Sequence, residues 1–164
     1  MKKKLLHYAK EILTFIVVLT ILSNVISLYK SSDLSKDTLS IKTLELINDK
    51  QFNLQTNKPI LIHFWATWCP TCKLESDNIQ TLSEHFEVLS IAVKSGSKND
   101  LKIYMKEHNL NYRVYNDENA QIASKFNISV YPTTFIYNGE KKLVFSEVGY
   151  TSTFGLWLRM WWAS

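Results

Sequence analysis

Two cysteines, Cys69 and Cys72, lie three positions apart and are the only cysteines of the 164-residue chain. Pro70 and Thr71 separate them. A thiolate at one position can attack a partner disulfide, and the second cysteine can then attack the mixed disulfide and release the partner. The spacing therefore predicts a pair that exchanges between dithiol and disulfide.

The residues around the pair predict where it lies in the fold. The apolar run "PILIHFW", residues 59–65, is typical of a strand buried on both faces. A helix is predicted to come next, with Cys72 in its first turn and Cys69 at its N-terminus. There the unpaired backbone N–H groups and the helix dipole favour the thiolate of Cys69. Pro70 suits the first helical position, where its missing N–H is not needed.

Other uses of two cysteines are weaker hypotheses or remain open. A zinc site takes four ligands, and no second cysteine pair or suitably spaced histidines complete one. A purely structural disulfide that closes so short a loop removes little unfolded-chain entropy. Copper(I) binding by two thiolates is chemically sound and stays an alternative to exchange. We therefore expect no metal for the exchange function.

The rest of the pattern predicts an α/β fold. A β-hairpin is predicted around Asn48 and Asp49, and "FEVLSIAV", residues 86–93, predicts a second buried strand. The helix after the cysteines is predicted to have Leu74, Ile79 and Leu82 among its apolar positions. Strands that alternate with helices and end in a hairpin predict a sandwich around a mixed sheet.

Further elements are predicted from caps and turns. They are a helix capped by Asn99 or Asp100, a short strand over 111–117, a helix over 118–128, a hairpin turning at Asn138-Gly139, and a C-terminal helix capped by Thr151 or Ser152.

The N-terminus has the pattern of a membrane anchor. Residues 12–29 carry no charge and are just long enough to cross a bilayer as a helix. Basic residues precede this run, so the positive-inside rule predicts that the rest of the chain is exported. We expect a cytoplasmic segment 1–11, a transmembrane anchor 12–29, a linker 30–38 and a folded domain 39–164. A cleaved signal peptide is the alternative.

The charge distribution argues against nucleic-acid binding. Lys2, Lys3, Lys4 and Lys10 against Glu11 supply +3 of the formal net charge of +4, which leaves +1 for the remainder. A nucleic-acid-binding domain would need a basic face on its folded part.

Two motifs together resemble the thioredoxin superfamily. "FWATWCPTCK" resembles the active-site segment of that family. "VYPTTF", residues 130–135, resembles the loop that carries a cis-proline opposite the cysteines, here Pro132 preceded by Tyr131. The membrane-anchored, TlpA-like thiol-disulfide oxidoreductases are the most similar group, because of the anchor, the early hairpin and the extra helix and strand between Lys98 and Tyr115.

This resemblance implies a three-layer thioredoxin-like sandwich behind one transmembrane helix. It implies that Cys69 and Cys72 form the redox disulfide, and that Trp68 packs at the site and faces partners. Glu75 matches a glutamate that some of these reductases place beside the cysteines. It is expected to be either a proton acceptor or tuner of the cysteine pKa, or an ordinary carboxylate on the helix surface. His63 stands where thioredoxins carry a buried Asp, and we favour a packed histidine over a base there.

The resemblance also implies partners and a location. The expected partners are protein thiols and disulfides, together with a membrane redox protein that recycles the dithiol. No organic cofactor is expected, and the domain is expected in the periplasm or outside the cell, anchored in the bacterial inner membrane. We expect the protein to act as a reductase of its partners, and the alternative is that it oxidises their thiols.

Overall fold

The computed structural model of the protein describes residues 43–54 and 57–164, and before them residues 7, 8, 10–15, 17–19, 21, 22, 25, 34, 39 and 41. The described residues of the predicted anchor 12–29 are helical, and the others lie outside the described part. Within the described residues, no helix is both long and apolar enough to span a bilayer.

Within residues 43–54 and 57–164, seven strands and four helices follow one another along the chain. The strands are β1 (Thr43–Glu45), β2 (Gln51–Asn53), β3 (Ile60–Trp65), β4 (Glu87–Val93), β5 (Val114–Asp117), β6 (Thr133–Tyr137) and β7 (Leu143–Val148). The helices are α1 (Pro70–Ser83), α2 (Lys98–Glu107), α3 (Gln121–Lys125) and α4 (Thr153–Ala163).

Five of the strands form one mixed sheet in the order β5-β4-β3-β6-β7. β3, β4 and β5 are parallel, whereas β6 is antiparallel to both β3 and β7. β1 and β2 pair with each other as a separate antiparallel hairpin. The predicted mixed sheet and both predicted hairpins are therefore confirmed.

Alternate residues of β3 point to opposite faces of the sheet and pack into two separate apolar clusters. Leu61 and Trp65 of β3 lie in a cluster with residues of α1, α2 and α4. Ile62 and Phe64 lie in a second cluster with α3 and the β1–β2 hairpin. Every residue of β3 is buried, as its continuous apolar run predicts. The sheet thus forms the middle layer of a three-layer sandwich.

Two local predictions were wrong. The cap of α2 is Ser97 and not the predicted Asn99 or Asp100, because the Ser97 side chain accepts from the Asp100 N–H while the Asp100 carboxylate accepts from the Ser97 backbone N–H in a reciprocal capping box. Leu74, predicted among the apolar positions of α1, is 73% exposed, whereas Ile79 and Leu82 are fully buried.

The two kinds of apolar position on α1 predict different stability effects. Ile79→Ala should lower the free energy of unfolding by about 2–5 kcal/mol, because it leaves a cavity between helix and sheet. The matched change Leu74→Ala should cost less than about 0.5 kcal/mol, because that side chain faces water. Urea unfolding of the two variants measures both, and equal losses would contradict this packing.

Candidate active site

The cysteines lie where β3 passes into α1, on a loop held by the segment that follows β4. The Thr67 N–H donates to the Ser95 hydroxyl at 3.0 Å, and the Trp68 indole N–H donates to the Lys94 carbonyl at 3.1 Å. These bonds fix the loop across two neighbouring parallel strands. Cys69 is consequently held at the carboxyl edge of the sheet.

Cys69 is the N-cap of α1, and Pro70 is its first residue, as predicted. Cys69 and Cys72 form a disulfide, with Cα atoms 5.3 Å apart. The Cys72 N–H donates to the Cys69 sulfur at 3.2 Å, so the sulfur takes the place that a capping oxygen usually fills. Cys69 is 6% exposed and Cys72 2%, so Cys69 is the more exposed of the two residues.

Trp68, Tyr131 and Pro132 come together beside the disulfide loop. The Tyr131–Pro132 peptide bond is cis, and Pro132 is buried. The Trp68 and Tyr131 rings meet edge to face, with centroids 5.6 Å apart. Trp68 is 60% exposed, so this aromatic pair forms a surface next to the cysteines that a partner can touch.

A glycine at the end of β7 holds the proline loop. The Gly149 N–H donates to the Pro132 carbonyl at 2.8 Å, and Gly149 has a φ of +95°, a backbone conformation that L side chains rarely adopt. The chain can therefore turn immediately after bonding Pro132 and continue into α4.

Glu75 is fully buried one turn after Cys72 on the same side of α1. Its Oε1 accepts from the Thr151 N–H at 2.9 Å, and no group among the described residues bonds Oε2. Burial raises the pKa of Glu75 from 4.5 to about 8; the Thr151 bond opposes this rise and the charge of Glu147 adds to it. Such a carboxyl is protonated at neutral pH and can exchange a proton near pH 8.

A row of polar side chains crosses the sheet on the face that α1 covers. His63 lies opposite Ser90 on one side and Thr134 on the other, and Thr134 lies opposite Glu147. Directly paired residues share a face, so the row of Ser90, His63, Thr134 and Glu147 spans four strands. We call these four residues the polar row.

His63 is buried within the polar row, and its Nδ1 lies 2.9 Å from the Thr134 hydroxyl. Burial lowers the pKa of His63 to about 3, so the ring is neutral at physiological pH. A neutral, hydrogen-bonded ring agrees with the packed interpretation of this residue.

Three residues that act on Glu75 or hold its partner could not be identified from the sequence: Thr151, Asn78 and Glu147. The Thr151 backbone bonds Glu75, and Asn78 holds this segment by donating to the Thr151 carbonyl at 3.0 Å. Glu147 raises the pKa of Glu75 while pairing with Arg159 at 2.8 Å. Only the pairing of distant segments brings these groups to α1.

The part of the chain that the structure describes contains no group of three or more His, Cys, Asp or Glu side chains arranged to hold a metal ion. The reactive groups that the fold does bring together are the sulfurs of Cys69 and Cys72, which are bonded to each other.

A disulfide at the N-terminus of the helix that follows a central strand, together with a cis-proline loop whose Tyr131 contacts Trp68, is the arrangement of a thioredoxin-like protein. The fold of StoA from Bacillus subtilis matches with a TM-score of 0.65, at 17% identity, over 76% of this chain and 98% of that one. This likeness supports the fold, and the sequence comparisons extend it to a family.

Residues 34–146 match the model of the AhpC/TSA family. The chain is 32% identical to a thioredoxin-like protein of Haemophilus influenzae over 99% of its own length and 96% of that protein. It is 31% identical to the thiol-disulfide oxidoreductase ResA of Bacillus subtilis, over 62% of this chain and 60% of ResA.

The chain therefore belongs to the AhpC/TSA family. Within it, the chain falls among the protein-disulfide oxidoreductases of thioredoxin type, and the resemblance inferred from the sequence motifs is confirmed.

The pKa of Glu75 predicts how stability depends on pH. The folded protein keeps this proton up to about pH 8, whereas an ordinary glutamate loses it near 4.5. Between pH 4.5 and pH 8 the folded state therefore binds more protons at Glu75 than the unfolded state does. Because of this difference, the free energy of unfolding falls as pH rises from about 4.5 to about 8, by at most about 1.4 kcal/mol per pH unit.

Glu75→Gln keeps an oxygen for the Thr151 N–H but cannot ionise. We expect the variant to lose this part of the pH dependence and to be more stable than the native oxidised chain at pH 8. Urea unfolding at pH 5 and pH 8 measures the difference, with the exposed Glu107→Gln as control. Identical pH dependence in all three proteins would contradict a buried titrating Glu75.

Proposed function

We propose that this chain is a membrane-tethered thiol-disulfide oxidoreductase of the bacterial cell envelope. It exchanges disulfides with partner proteins through Cys69 and Cys72 and works as a reductase. The observation that carries this proposal is the Cys69–Cys72 disulfide at the N-terminus of α1, with Cys69 the more exposed residue of the two. The uncharged run 12–29 behind basic residues supports the tether and an exported domain.

In the proposed reaction the reduced chain attacks first through Cys69. Its thiolate forms a bond to one sulfur of a partner disulfide, and the other partner sulfur leaves as a thiolate. Cys72, once deprotonated, attacks the Cys69 sulfur and expels the partner as its second thiolate. The partner gains two electrons, and the chain ends with the disulfide seen in the structure.

Glu75 is proposed to take part in the second step. Cys72 must lose a proton before it attacks, and a carboxyl with a pKa of about 8 is well matched to an ordinary thiol at about 8.5. Glu75 lies one helical turn from Cys72, on the same side of α1. In its charged form it can accept the Cys72 proton, and in its neutral form it does not repel the Cys69 thiolate.

The aromatic surface beside the disulfide is proposed to bind partners. Trp68 and Tyr131 flank the cysteines, and the cis bond before Pro132 sets the course of the chain opposite them. An extended segment of a partner, carrying the cysteine to be reduced, fits this position. Pro70 is proposed to keep the first turn of α1 regular. His63 is proposed to hold β3 against β6 through its hydrogen bond with Thr134.

A trapped complex tests the exchange. Cys72→Ala removes the second sulfur, so a mixed disulfide at Cys69 cannot be released and should accumulate. The control Cys69→Ser should trap none. Non-reducing gels of whole cells, followed by identification of the bands, make the measurement. If Cys72→Ala traps no more protein than Cys69→Ser does, the proposed reaction is wrong, and copper(I) binding by the pair becomes the better hypothesis.

The reduction potential tests the direction. A reductase should have a potential near that of thioredoxin, about −270 mV, whereas a strong oxidant lies near about −120 mV. Equilibrating the full chain with glutathione buffers gives the value. A potential close to the oxidant end would contradict reduction of partners while leaving exchange intact.

A further inference from the structure

The exposed face of α4 consists only of large apolar side chains, which we call the α4 face. Its members and their exposed fractions are Phe154 (74%), Trp157 (43%), Leu158 (45%), Trp161 (60%) and Trp162 (72%). At about 100° per residue they cover an arc of roughly 140°. The only charged side chain of the helix, Arg159, lies outside this arc and bonds Glu147 at 2.8 Å.

Such a face is unusual on a protein surrounded by water. Contiguous exposed apolar surface marks a site of contact with another body. Protein–protein interfaces carry a polar rim and regular hydrogen bonds, whereas the α4 face offers only the indole N–H groups of its tryptophans. Tryptophan is enriched where hydrocarbon meets water at a membrane surface. The composition therefore favours a bilayer as the occupant.

The C-terminal part of the α4 face lies at the end of the domain remote from the cysteines. α4 starts beside the site, two residues after Thr151, and ends at Ala163, with Ser164 as its C-cap. Ser164 lines a surface pocket of about 440 Å³ together with Pro59, the residue before β3. Cys69 follows the other end of β3, a strand of six residues that spans about 20 Å.

The chain joins the domain at this same remote end. The Leu39 N–H donates to the Lys141 carbonyl at 3.2 Å, and the Lys141 ammonium donates to the Lys58 carbonyl at 2.9 Å. Lys58 lines the same pocket as Ser164. The predicted anchor ends at Tyr29, and ten residue steps from there to Leu39 reach at most about 36 Å. A tether of this length keeps the remote end within about 36 Å of the bilayer surface, close enough to reach it.

We propose that the C-terminal part of the α4 face, with Trp157, Trp161 and Trp162, lies in the interfacial layer of the bilayer that carries the anchor. Cys69 then faces away from the membrane, towards partners. This inference rests on the tether in the proposed function, and it adds a second contact that orients the domain.

Tryptophan fluorescence of the full chain in lipid nanodiscs tests the contact. All five tryptophans lie in the folded domain, two near the cysteines and three on α4, so quenching by bromine in the acyl chains does not report on the anchor. The discs are made from ordinary or dibrominated phosphatidylcholine and loaded with one chain each. A neutral lipid keeps charge attraction out of the result.

Brominated lipid should quench part of the native emission. In the double variant Trp161→Ala and Trp162→Ala, the quenched fraction should fall at least twofold. Both side chains are mostly exposed, so the fold should tolerate the changes, and an unaltered circular dichroism melt checks this. The control Trp68→Phe removes an equally exposed tryptophan at the cysteine end and should leave the quenched fraction at or above the native value.

Other results overturn the inference in distinguishable ways. If the chain stays with the discs in size-exclusion chromatography but its emission is the same in both lipids, the bilayer contact is wrong, and a second copy or a partner protein covers the face. An equal quenched fraction in the double variant also contradicts it. If the chain elutes apart from the discs, the tether itself is wrong, and the bilayer contact of α4 is wrong with it.

Discussion

The passage from β3 into α1 is the constraint on which the site depends. β3 is buried on both faces, so its course is fixed by the sheet and by both apolar layers. The loop after it is tied to the segment behind β4 by the Thr67 and Trp68 bonds. Cys69 is thereby fixed as the N-cap of α1, where its sulfur accepts from the backbone N–H of Cys72 in the first turn of the helix. The position that activates a thiolate is thus set by the core.

The polar groups behind the disulfide are held by a small number of contacts. Asn78 fixes the segment before α4, which aims the Thr151 N–H at Glu75. Glu147, the last member of the polar row, lies on the face of the sheet that α1 covers, and there it pairs with Arg159. Burial raises the pKa of Glu75, the charge of Glu147 adds to the rise, and the Thr151 bond opposes it, so this carboxyl stays protonated at neutral pH. Its burial costs stability and places a titrating group one turn from Cys72.

Much of this could be predicted from the sequence, because the decisive signals are local. A continuous apolar run predicts β3, and the two cysteines with Pro70 predict the start of α1. The start of α2 was missed because the reciprocal bonds of Ser97 and Asp100 decide it, and several nearby polar residues could cap equally well. Leu74 is apolar but faces water, which periodicity alone does not reveal.

The surroundings of Glu75 could not be predicted, since they depend on long-range register. Glu147 faces α1 only because of how β7 pairs with β6, and that pairing shifts at Ile136 and Tyr137. A shift of one residue would turn Glu147 to the opposite face. The aromatic surface of Trp68 and Tyr131 likewise joins two segments more than sixty residues apart.

The central claim, that Cys69 is the attacking sulfur, is tested most directly by the reactivity of the two thiols. The reduced variants Cys72→Ala and Cys69→Ala each keep one cysteine, and their alkylation rates with iodoacetamide at pH 7 can be compared. We expect the chain that keeps Cys69 to react at least about tenfold faster, because Cys69 is the more exposed residue and lies at the helix N-terminus. Equal rates, or faster reaction of Cys72, would contradict it.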